Sequence, residues 1–472
     1  MERVKTELCI IGAGSGGLSL ASGAVQMGAR VVLIEGAEMG GDCLNHGCVP
    51  SKALIAAAHH AHAMTDGGDF GVAPVRPQVD FAAARDHVAR TIAGIAPHDS
   101  QERFEGLGVR VIRDWARFVS PREVAAGDIR IRARRFVIAT GSAPAVPPIP
   151  GLGEVPYFTN ETIFALRRRP FHLVIIGGGP IGMEMAQAHL RLGSRVTVIE
   201  ADRALGREEP ELAAVVLARL RAEGVEIVEG AGVAGVAGTE GALSVTLTDG
   251  RRIAGSHILV ATGRKPNLDR LDLTAAGIRR TPAGVAVNAG LRSSNRRVYA
   301  IGDAAGLGQF THLAGYHAGI VIRAAVLGLP ATARRDHIPR ATYTDPELAH
   351  VGLSEAEARD RHGDSVQVVT WPFAENDRAR AMLRTDGLVK LIVHRGRPVG
   401  AGIAGPQAGE LIAPWALAVA NRLKLSAMAN TVLPYPTLAE AGKRAAGAYF
   451  SPKLFDNALL KMMVRLVQRV FP

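Results

Sequence analysis

Two glycine-rich turns, each set between an apolar strand and a helix, limit the fold of this chain more than any other feature. The first turn is Gly12-Ala-Gly14-Ser-Gly-Gly17, and Glu35 closes the strand that follows the helix. The flanking pattern predicts strand Leu8–Ile11, helix Ser15–Met27 and strand Arg30–Ile34. The first glycine permits a tight turn, the second lets the backbone approach a pyrophosphate, and the third lets the helix pack on the strand. The unit is typical of dinucleotide binding, with Glu35 placed to accept hydrogen bonds from an adenosine ribose.

The same pattern returns in the middle of the chain. Apolar residues Leu173–Ile176 lead into Gly177-Gly-Gly179-Pro-Ile-Gly182, followed by predicted helix Met183–Leu192 and predicted strand Arg195–Ile199. Glu200 ends this strand, and a carboxylate there favours a free 2′-hydroxyl over a 2′-phosphate. We therefore expect NAD(H), with NADP(H) as the alternative because Arg203 lies three residues further on. Two copies of one phosphate-binding unit imply two dinucleotide-binding domains.

Size and composition exclude several other classes of protein. A chain of 472 residues is too long for one ordinary core, so two to four domains are expected. Its three cysteines cannot form a secretory disulfide framework and favour a reducing compartment. An apolar strand begins within a few residues of the N-terminus, and no apolar run reaches the roughly 18 residues of a membrane span. We expect a cytoplasmic protein without a signal peptide.

The formal net charge of +11 raises the possibility of nucleic-acid binding. The arginines are scattered along the chain, however, and no long basic run is present. This distribution favours a basic surface that attracts anionic dinucleotides, and we expect no nucleic-acid partner.

Between the two fingerprints lies a segment with paired cysteines, Gly40-Gly-Asp-Cys43-Leu-Asn-His46-Gly-Cys48-Val-Pro-Ser-Lys52. Two cysteines five residues apart at the start of a helix can bring their sulfurs within bonding range. A helix N-terminus stabilises thiolates, so the reduced pair should be reactive near neutral pH. The alternative, a metal site, lacks a second Cys/His pair with zinc spacing, and His46 alone is insufficient. Cys9, inside the first strand, is expected to be a small core residue.

Together these motifs resemble those of the class I pyridine nucleotide-disulfide oxidoreductases, in the branch of dihydrolipoamide dehydrogenase and mercuric reductase. The resemblance also includes Ala139-Thr140-Gly141-Ser, Ala261-Thr-Gly263-Arg-Lys-Pro-Asn, Tyr299-Ala-Ile-Gly-Asp303, Thr344-Asp-Pro-Glu-Leu and Gly405-Pro-Gln-Ala-Gly-Glu-Leu-Ile, and so covers nearly the whole chain. It implies an enzyme that passes electrons from NAD(H) through FAD to a Cys43–Cys48 disulfide, and then to a disulfide/dithiol-type acceptor.

The resemblance also assigns roles to individual residues. Cys43 would be the interchange thiol that meets the substrate, and Cys48 the thiol that reacts with the flavin. Lys52, one helical turn beyond Cys48, would lie at the reactive edge of the flavin with Glu184 as its ion-pair partner. The residues assigned to cofactor binding by the fingerprints and the resemblance are Gly12, Gly14, Gly17, Glu35, Lys52, Thr140, Gly141, Asp303, Ala314, Gly177, Gly179, Gly182, Glu200 and Gly263.

Two of these assignments concern the pyrimidine and ribitol portions of the flavin. Asp303 would bind the ribitol. A helix beginning near Thr311 and including Ala314 would direct its N-terminal dipole at the pyrimidine. His312, in the same turn, is expected to pack or contact backbone rather than to act in catalysis.

The sequence departs from the family pattern near its C-terminus. The family places a catalytic base in a His-Pro-Thr-x-x-Glu stretch, whereas this chain reads Tyr435-Pro-Thr-Leu-Ala-Glu440. A phenol, with a reference pKa near 10, is a poor proton acceptor at neutral pH. Tyr435 at this position resembles mercuric reductase, although the terminal cysteine pair of that enzyme is missing. The alternatives are therefore a metal-ion reductase and, from another class, a membrane-surface flavoprotein that donates electrons to a quinone or a partner protein.

We expect an α/β fold with two Rossmann-like dinucleotide-binding domains and a C-terminal α/β dimerisation domain. The predicted segments are 1–147 and 268–336 for the FAD domain, 148–267 for the inserted NAD domain and 337–472 for the dimerisation domain. A proline-rich linker, Ala143–Gly151, is predicted between the first two segments. The resemblance implies a homodimer in which each active site is completed by the partner subunit.

The last twenty residues predict an amphipathic helix. Lys453, Asn457, Lys461, Arg465 and Arg469 recur every four residues, which places them along one stripe of a helix between Lys453 and Phe471. Most of the remaining residues there are apolar. A broad apolar surface of this kind needs to be covered, and two coverings are open: the partner subunit or a membrane interface.

Overall fold

The computed structural model describes residues 2–470 and confirms the α/β class. Its internal contacts divide the described chain into two units. The first unit contains the residues up to Asp202 together with Val225–Arg335, and the second contains Arg203–Gly224 together with the residues from Asp336 onward. The four predicted domain segments remain a prediction, and residues 1, 471 and 472, which two of them include, lie outside the described part.

Most strands of the described chain belong to the first unit. They are β1 (Glu2–Ile11), β2 (Val31–Ile34), β3 (Arg110–Ile112), β4 (Ala116–Ser120), β5 (Glu123–Ala126), β6 (Ile129–Ile138), β7 (Ser142–Pro144), β8 (His172–Ile176), β9 (Arg195–Ile199), β10 (Glu226–Val228), β11 (Val233–Thr239), β12 (Ala242–Leu247), β13 (Arg252–Gly255), β14 (His257–Val260), β15 (Arg264–Pro266), β16 (Arg280–Thr281), β17 (Gly284–Val285) and β18 (Val298–Ala300). Those of the second unit are β19 (Arg340–Thr342), β20 (Glu347–Gly352), β21 (Val366–Pro372), β22 (Leu388–His394) and β23 (Arg397–Gly405).

The helices are α1 (Ser15–Gln26), α2 (Gly41–Asn45), α3 (Cys48–Ala63), α4 (Phe81–Ile95), α5 (Gln101–Gly106), α6 (Pro180–Arg191), α7 (Pro210–Glu223), α8 (Thr311–Val321), α9 (Glu355–His362), α10 (Asp377–Ala381), α11 (Ala408–Leu411), α12 (Ala413–Ala420), α13 (Leu425–Ala429), α14 (Glu440–Ala448), α15 (Ser451–Phe455) and α16 (Ala458–Val470). Helices α7 and α9 to α16 belong to the second unit. A short π-helix, Ile322–Val326, continues α8.

The first predicted βαβ unit forms part of the largest sheet. Its strand order is β3-β2-β1-β6-β5-β4, and β18 also pairs with β6. Strand β1 runs parallel to β2 and β6, which places Cys9 opposite Val32 on one side and Phe136 on the other. Cys9 is fully buried between them, as predicted. Helix α1 ends at Gln26, one residue before the predicted end.

The second fingerprint lies in a separate parallel sheet, with order β10-β9-β8-β14. Helix α6 begins at Pro180, three residues before its predicted start, because proline is well suited to the first position of a helix. The predicted linker Ala143–Gly151 is partly wrong, since its first two residues belong to β7. Strand β7 pairs antiparallel with β15, so Ala143 lies opposite Lys265. The sequence does not show this pairing because the two strands are far apart along the chain.

The two glycine turns have nearly the same geometry. Gly12 has φ +108°, and a Cβ added there would lie 2.4 Å from the Ala139 carbonyl oxygen. Gly177 has φ +114°, and its added Cβ would lie 2.5 Å from the carbonyl oxygen of Ala261. No side chain fits at either distance, so each turn requires glycine to reach the end of the neighbouring strand.

The second unit is built on an antiparallel sheet with order β19-β20-β23-β22-β21. Trp415 of α12 and Ala441 of α14 are buried in the same core as Phe373 and the sheet residue Leu391. None of the helices in the described residues is long and apolar enough to cross a membrane.

The prediction of one continuous C-terminal helix is wrong. The chain forms two helices, α15 and α16, with a break at Asp456 and Asn457. Asn457 accepts a hydrogen bond from the backbone N–H of Leu460 through its side chain, which is the geometry of a helix N-cap. The capping preference of asparagine therefore overrides the four-residue repeat, and the basic stripe is confined to α16. Phe471, the predicted end of the helix, lies outside the described residues.

A buried lysine holds three carboxylates together in the second unit. The Nζ atom of Lys390 lies 2.7 Å from Glu209, 2.5 Å from Glu211 and 2.8 Å from Glu355. The side chains of Lys390 and Glu209 are both almost fully buried. The hydrogen bond from Lys390 holds the pKa of Glu355 below its usual range. Removing the lysine would leave a buried carboxylate without its counter-charge.

We expect Lys390→Met to lower the free energy of unfolding of the second unit by about 3–5 kcal/mol, the usual cost of breaking a buried ion pair. Urea unfolding, followed by the fluorescence of Trp371 and Trp415 in that unit, measures the loss. Lys424→Met is the matched control, because Lys424 is exposed. Equal effects of the two substitutions would contradict a stabilising role for the buried cluster.

Candidate active site

The two predicted redox cysteines lie at the junction of α2 and α3. Cys43 belongs to α2, Cys48 is the first residue of α3, and both are free thiols. The hydrogen bond from Cys43 lowers the pKa of Cys48 to about 6, with further contributions from Thr311 and the positive charge of Lys52. The same hydrogen bond, together with burial, raises the pKa of Cys43. The pair is therefore poised with its negative charge on Cys48 near neutral pH.

An ion pair one turn into α3 links the cysteine segment to the second fingerprint. The Lys52 ammonium donates to the Glu184 carboxylate at 2.8 Å, and Glu184 is buried in α6. Because a buried carboxylate needs a counter-charge, this pair fixes the direction of the Lys52 side chain. Two residues far apart in sequence are thus brought together next to Cys48.

The loop between the cysteines is anchored by residues that sequence reasoning missed. The Asn160 side chain donates to Asp42 at 3.0 Å and to the carbonyl oxygen of His46 at 3.1 Å. The His46 ring lies 3.1 Å from Glu38. These contacts hold the backbone on either side of Cys43, which keeps the two sulfurs close.

The first fingerprint forms a cradle for a dinucleotide. A Cβ added at Gly14 would meet only the Gly41 Cα at 3.9 Å, so the space above this glycine is open. Glu35 accepts from the backbone N–H groups of Ala13 at 2.6 Å and Ala37 at 2.7 Å, which fixes the carboxylate beside the turn. Gly17 keeps α1 against the turn, because its added Cβ would lie 1.9 Å from the Gly12 carbonyl oxygen.

Further residues of the first unit fit a flavin dinucleotide. The Thr140 hydroxyl is buried and has no hydrogen-bond partner among the described residues, and Gly141, next to it, has open space at its Cβ position. A cavity of about 410 Å³ adjoins the fingerprint and the cysteine pair. Its lining includes Ser15, Cys43, Leu44, Asp99, Arg103 and Thr311. The unsatisfied Thr140 hydroxyl and the open space at Gly141 fit a bound flavin dinucleotide, and the cavity lies beside Cys43.

Asp303 lies in a polar network that the sequence did not reveal. Its carboxylate accepts from the Ser142 hydroxyl at 2.5 Å, and burial raises the pKa of Asp303. Arg264 donates to the same hydroxyl at 2.8 Å and forms an ion pair with Asp42 at 3.0 Å. Ser142 and Arg264 both lie in motifs that this chain shares with the family. Those motifs were the sequence signal that could have pointed to these two residues.

Helix α8 contacts both the first fingerprint and the cysteine pair. Thr311 is the first residue of α8, and its hydroxyl oxygen lies 3.4 Å from the Cys48 sulfur. Ala314, one turn later, is buried, and a Cβ added at Gly16 would lie 3.1 Å from the Ala314 Cβ. His312 stacks on Phe310 with ring centroids 5.3 Å apart. The start of α8 therefore points towards the cysteines.

The second fingerprint forms a matching cradle. Nothing lies within 4 Å of a Cβ added at Gly179 or at Gly263. Glu200 accepts from the backbone N–H of Gly178 at 2.7 Å, which fixes its carboxylate at the mouth of the turn. Gly182 packs α6 against this turn, with an added Cβ only 2.0 Å from the carbonyl oxygen of Gly177. The arrangement fits a second dinucleotide.

Tyr435 and Glu440 lie in the second unit. The Tyr435 hydroxyl donates to Asp377 at 2.9 Å, and this hydrogen bond raises the pKa of the phenol. Glu440 is the first residue of α14 and adds to the same shift through its charge. The Tyr435 side chain is exposed, and it is neutral over the physiological pH range.

Residues 6–319 match the model of the pyridine nucleotide-disulphide oxidoreductases, and residues 338–446 match the dimerisation domain of that family. The chain belongs to this family. Family membership makes it an NAD(P)H-dependent flavoprotein enzyme with FAD as cofactor, and the dimerisation domain supports a homodimer.

Relatives in the family carry different names at similar identity. The chain is 36% identical to the mercuric reductase of Acidithiobacillus ferrooxidans over 94% of its length and 82% of that protein. It is 34% identical to the dihydrolipoyl dehydrogenase of Geobacillus stearothermophilus over 94% of its length and 96% of that protein. Among solved structures, the Cu(II) complex of the flavoprotein disulfide reductase RclA from Escherichia coli aligns with TM-score 0.83 and 28% identity, covering 93% of this chain and 99% of that one. Similarity to these relatives therefore does not identify the electron acceptor.

The hydrogen bonds around Cys48 lead to a prediction about its reactivity. Reduced protein should react with iodoacetamide with a pH midpoint near the Cys48 pKa of about 6. Cys43→Ala removes the main donor and should raise this midpoint, and adding Thr311→Val should raise it further. Alkylation rates measured as a function of pH test both steps.

Thr91→Val in the Cys43→Ala background is the matched control, since Thr91 makes its hydrogen bond within α4 at His87. If Thr311→Val and Thr91→Val gave the same midpoint, Thr311 would have no part in stabilising the thiolate.

Proposed function

We propose that this enzyme uses electrons from NADH to reduce a thiophilic metal ion, of the mercury(II) or copper(II) class, bound by Cys43 and Cys48. The observation that carries the proposal is Tyr435, a neutral phenol that donates to Asp377 and stands where the family pattern has a histidine base. A general base works best when its pKa lies near the operating pH, and this phenol is far from that range. A disulfide acceptor takes up protons as it is reduced, so it needs a group that holds and transfers a proton near the operating pH, whereas a metal ion takes up electrons alone and needs no such group.

The cysteine pair supports the same proposal. Soft ions such as mercury(II), and copper(I) once copper(II) has been reduced, prefer thiolate ligands, and binding requires the deprotonated sulfur. With the pKa of Cys48 lowered to about 6, one thiolate is present at neutral pH before any metal arrives. Cys43 lies within hydrogen-bond distance of it and supplies the second sulfur when the metal ion displaces its proton to solvent. The relatives named as mercuric reductases, and RclA in its Cu(II) complex, belong to the same family.

The remaining residues of the first unit would position the reactants. FAD and the nicotinamide dinucleotide, when bound, supply hydride acceptance and the transfer of two electrons. Gly12, Gly14 and Gly17 would let the backbone approach one pyrophosphate, and Gly177, Gly179 and Gly182 the other. Lys52, directed by Glu184, would place a positive charge beside Cys48 and the flavin. Asp303 would accept hydrogen bonds from ribitol hydroxyls.

The electron balance follows from the acceptor. One NADH delivers two electrons and yields NAD⁺ and one proton. Two electrons reduce one mercury(II) ion to the metal, or two copper(II) ions to copper(I). Because Tyr435 belongs to the dimerisation domain, we place Tyr435 of the partner subunit at the acceptor side of each cysteine pair.

A disulfide/dithiol acceptor of the dihydrolipoyl type is the second candidate. It is favoured by the dihydrolipoyl dehydrogenase relatives, which have nearly the same identity as the mercuric reductases, and by Glu440, which matches the orienting acid of the family stretch. It requires a group that holds and transfers a proton near neutral pH, which the Tyr435 position does not provide. A quinone acceptor at a membrane surface remains the alternative of another class.

Steady-state turnover with full-length holoenzyme separates these candidates. The acceptors are mercury(II), copper(II), lipoamide, oxidised glutathione and a soluble quinone, each with NADH. The proposal expects the highest kcat/KM with a metal ion, and loss of that activity in Cys43→Ala. A higher kcat/KM with lipoamide or glutathione would overturn it in favour of a dithiol enzyme. Quinone turnover that persists in Cys43→Ala and exceeds the metal activity would overturn it in favour of the third class.

Tyr435→His tests whether the missing base limits dithiol chemistry. General bases contribute about 10²–10⁴-fold, so lipoamide activity should rise, mainly through kcat, even if the imidazole is imperfectly aligned. Tyr435→Phe is the control: it removes the hydroxyl contact with Asp377 without adding a base. No gain in Tyr435→His, with flavin content and fold intact, would mean that residue 435 is not at the acceptor site.

Glu200 supports NADH as the preferred reductant, because its carboxylate is fixed at the fingerprint by Gly178 and would accept hydrogen bonds from a 2′-hydroxyl. Glu200→Ala should lower kcat/KM for NADH about tenfold, the usual effect of losing one hydrogen bond to a charged group. It should also raise kcat/KM for NADPH by removing charge repulsion. Glu226→Ala is the control, since Glu226 lies on the adjacent strand outside the turn. A wild-type preference for NADPH would contradict this assignment.

A further inference from the structure

The C-terminal helix α16 exposes seven large apolar side chains. The family match of the dimerisation domain ends at residue 446, so α15 and α16 lie outside it. Every residue from Lys461 to Val470 is exposed. The exposed apolar side chains include Leu459, Met462, Met463, Val464, Leu466, Val467 and Val470. Leu459 is 72% exposed and Leu466 is 60% exposed, although leucine is among the residues most often buried in folded proteins.

The side chains of α16 are sorted sharply around the helix. At about 100° per residue, the polar residues occupy roughly 100° of the circumference, and apolar residues occupy roughly 200°. The polar arc contains Lys461, Arg465, Gln468 and Arg469. A helix that packs on a protein core or in a two-helix seam usually has a narrower apolar stripe. An apolar arc of this width is suited to a broad apolar phase.

The charge of α16 has one sign only. Lys461, Arg465 and Arg469 lie on the polar arc, and the sequence of the helix contains no aspartate or glutamate. Pairing two copies of α16 through their apolar arcs would leave part of each wide arc exposed, and the polar arc on the opposite side would still present only positive charge. A surface complementary to α16 therefore has negative charges beside a continuous apolar region.

We propose that α16 docks on an anionic phospholipid bilayer, lying in the plane of the interface with its apolar arc in the acyl boundary. This is the pattern of an interfacial amphipathic helix: basic residues on a polar face, with leucine, methionine and valine opposite. At 13 residues the helix has a length of about 20 Å, which is too short to cross the hydrocarbon core. The inference does not depend on which acceptor the enzyme reduces.

The basic residues and the apolar arc make separable contributions. Each Lys or Arg near an anionic surface strengthens binding about fivefold, so Lys461→Gln, Arg465→Gln and Arg469→Gln together should weaken it about a hundredfold. Leu466→Asp places a charge in the apolar arc and should abolish binding. Gln468→Asp is the matched control, because it changes the net charge equally but lies on the polar arc, and should weaken binding about fivefold.

Co-sedimentation of the full-length holoenzyme with vesicles tests the proposal. The vesicles are phosphatidylcholine alone or an equal mixture of phosphatidylcholine and phosphatidylglycerol. Binding is expected only to the mixed vesicles, and it should weaken as sodium chloride is raised, because salt screens the charges. Turnover of NADH in vesicle-free buffer should be the same in all α16 variants, which shows that they fold.

Truncation after Pro452 completes the test, with light scattering after gel filtration to measure the oligomeric state. The proposal expects an intact dimer that no longer sediments with mixed vesicles. A truncated chain that becomes monomeric would overturn it, since a second copy would then cover the helix. Absence of wild-type binding, equal binding to both vesicle types, or equal effects of Leu466→Asp and Gln468→Asp would also overturn it.

Discussion

The approach of Gly12 to the Ala139 carbonyl is the contact on which the active-site geometry of the first unit depends. It is possible only without a side chain and with a left-handed backbone, and it joins the end of β1 to the end of β6. The turn then delivers α1 with its free N–H groups towards a phosphate, and β6 delivers Thr140 and Gly141 beside it. The second fingerprint repeats this contact at Gly177, so the same glycine turn forms both dinucleotide cradles.

Electrostatic interactions give the two cysteines different pKa values. Cys48 receives a hydrogen bond from Cys43 and a favourable charge from Lys52, whereas Cys43 keeps its proton. Because Lys52 is held by a buried glutamate on α6, the charge that activates the thiol is set by an element of the other fingerprint. The cysteine chemistry therefore depends on how the two βαβ units pack, and not on the cysteine segment alone.

Charge is central to both the proposed metal-ion acceptor and the proposed docking of α16 on a membrane. Tyr435 stands where the family pattern has a histidine, and its neutral phenol favours an acceptor whose reduction takes up no proton. The positive stripe of α16 lies beyond the family domain and would bring the same enzyme to an anionic surface. In these two proposals, Tyr435 bears on what the enzyme reduces, and α16 bears on where it does so. Neither feature alters the core of the fold.

The sequence by itself determined the α/β class, the two fingerprints, most of their flanking strands and helices, and the cysteine pair, because each depends on local spacing and on glycine. It could not give the pairing of β7 with β15 or the network of Asp303, Ser142 and Arg264, since these join residues more than a hundred positions apart. It also missed the break at Asn457, where a side-chain cap outweighs the four-residue repeat. Only the tertiary structure decided which thiol is acidic, because the pKa of Cys48 is set by Cys43, Thr311 and Lys52 meeting in space.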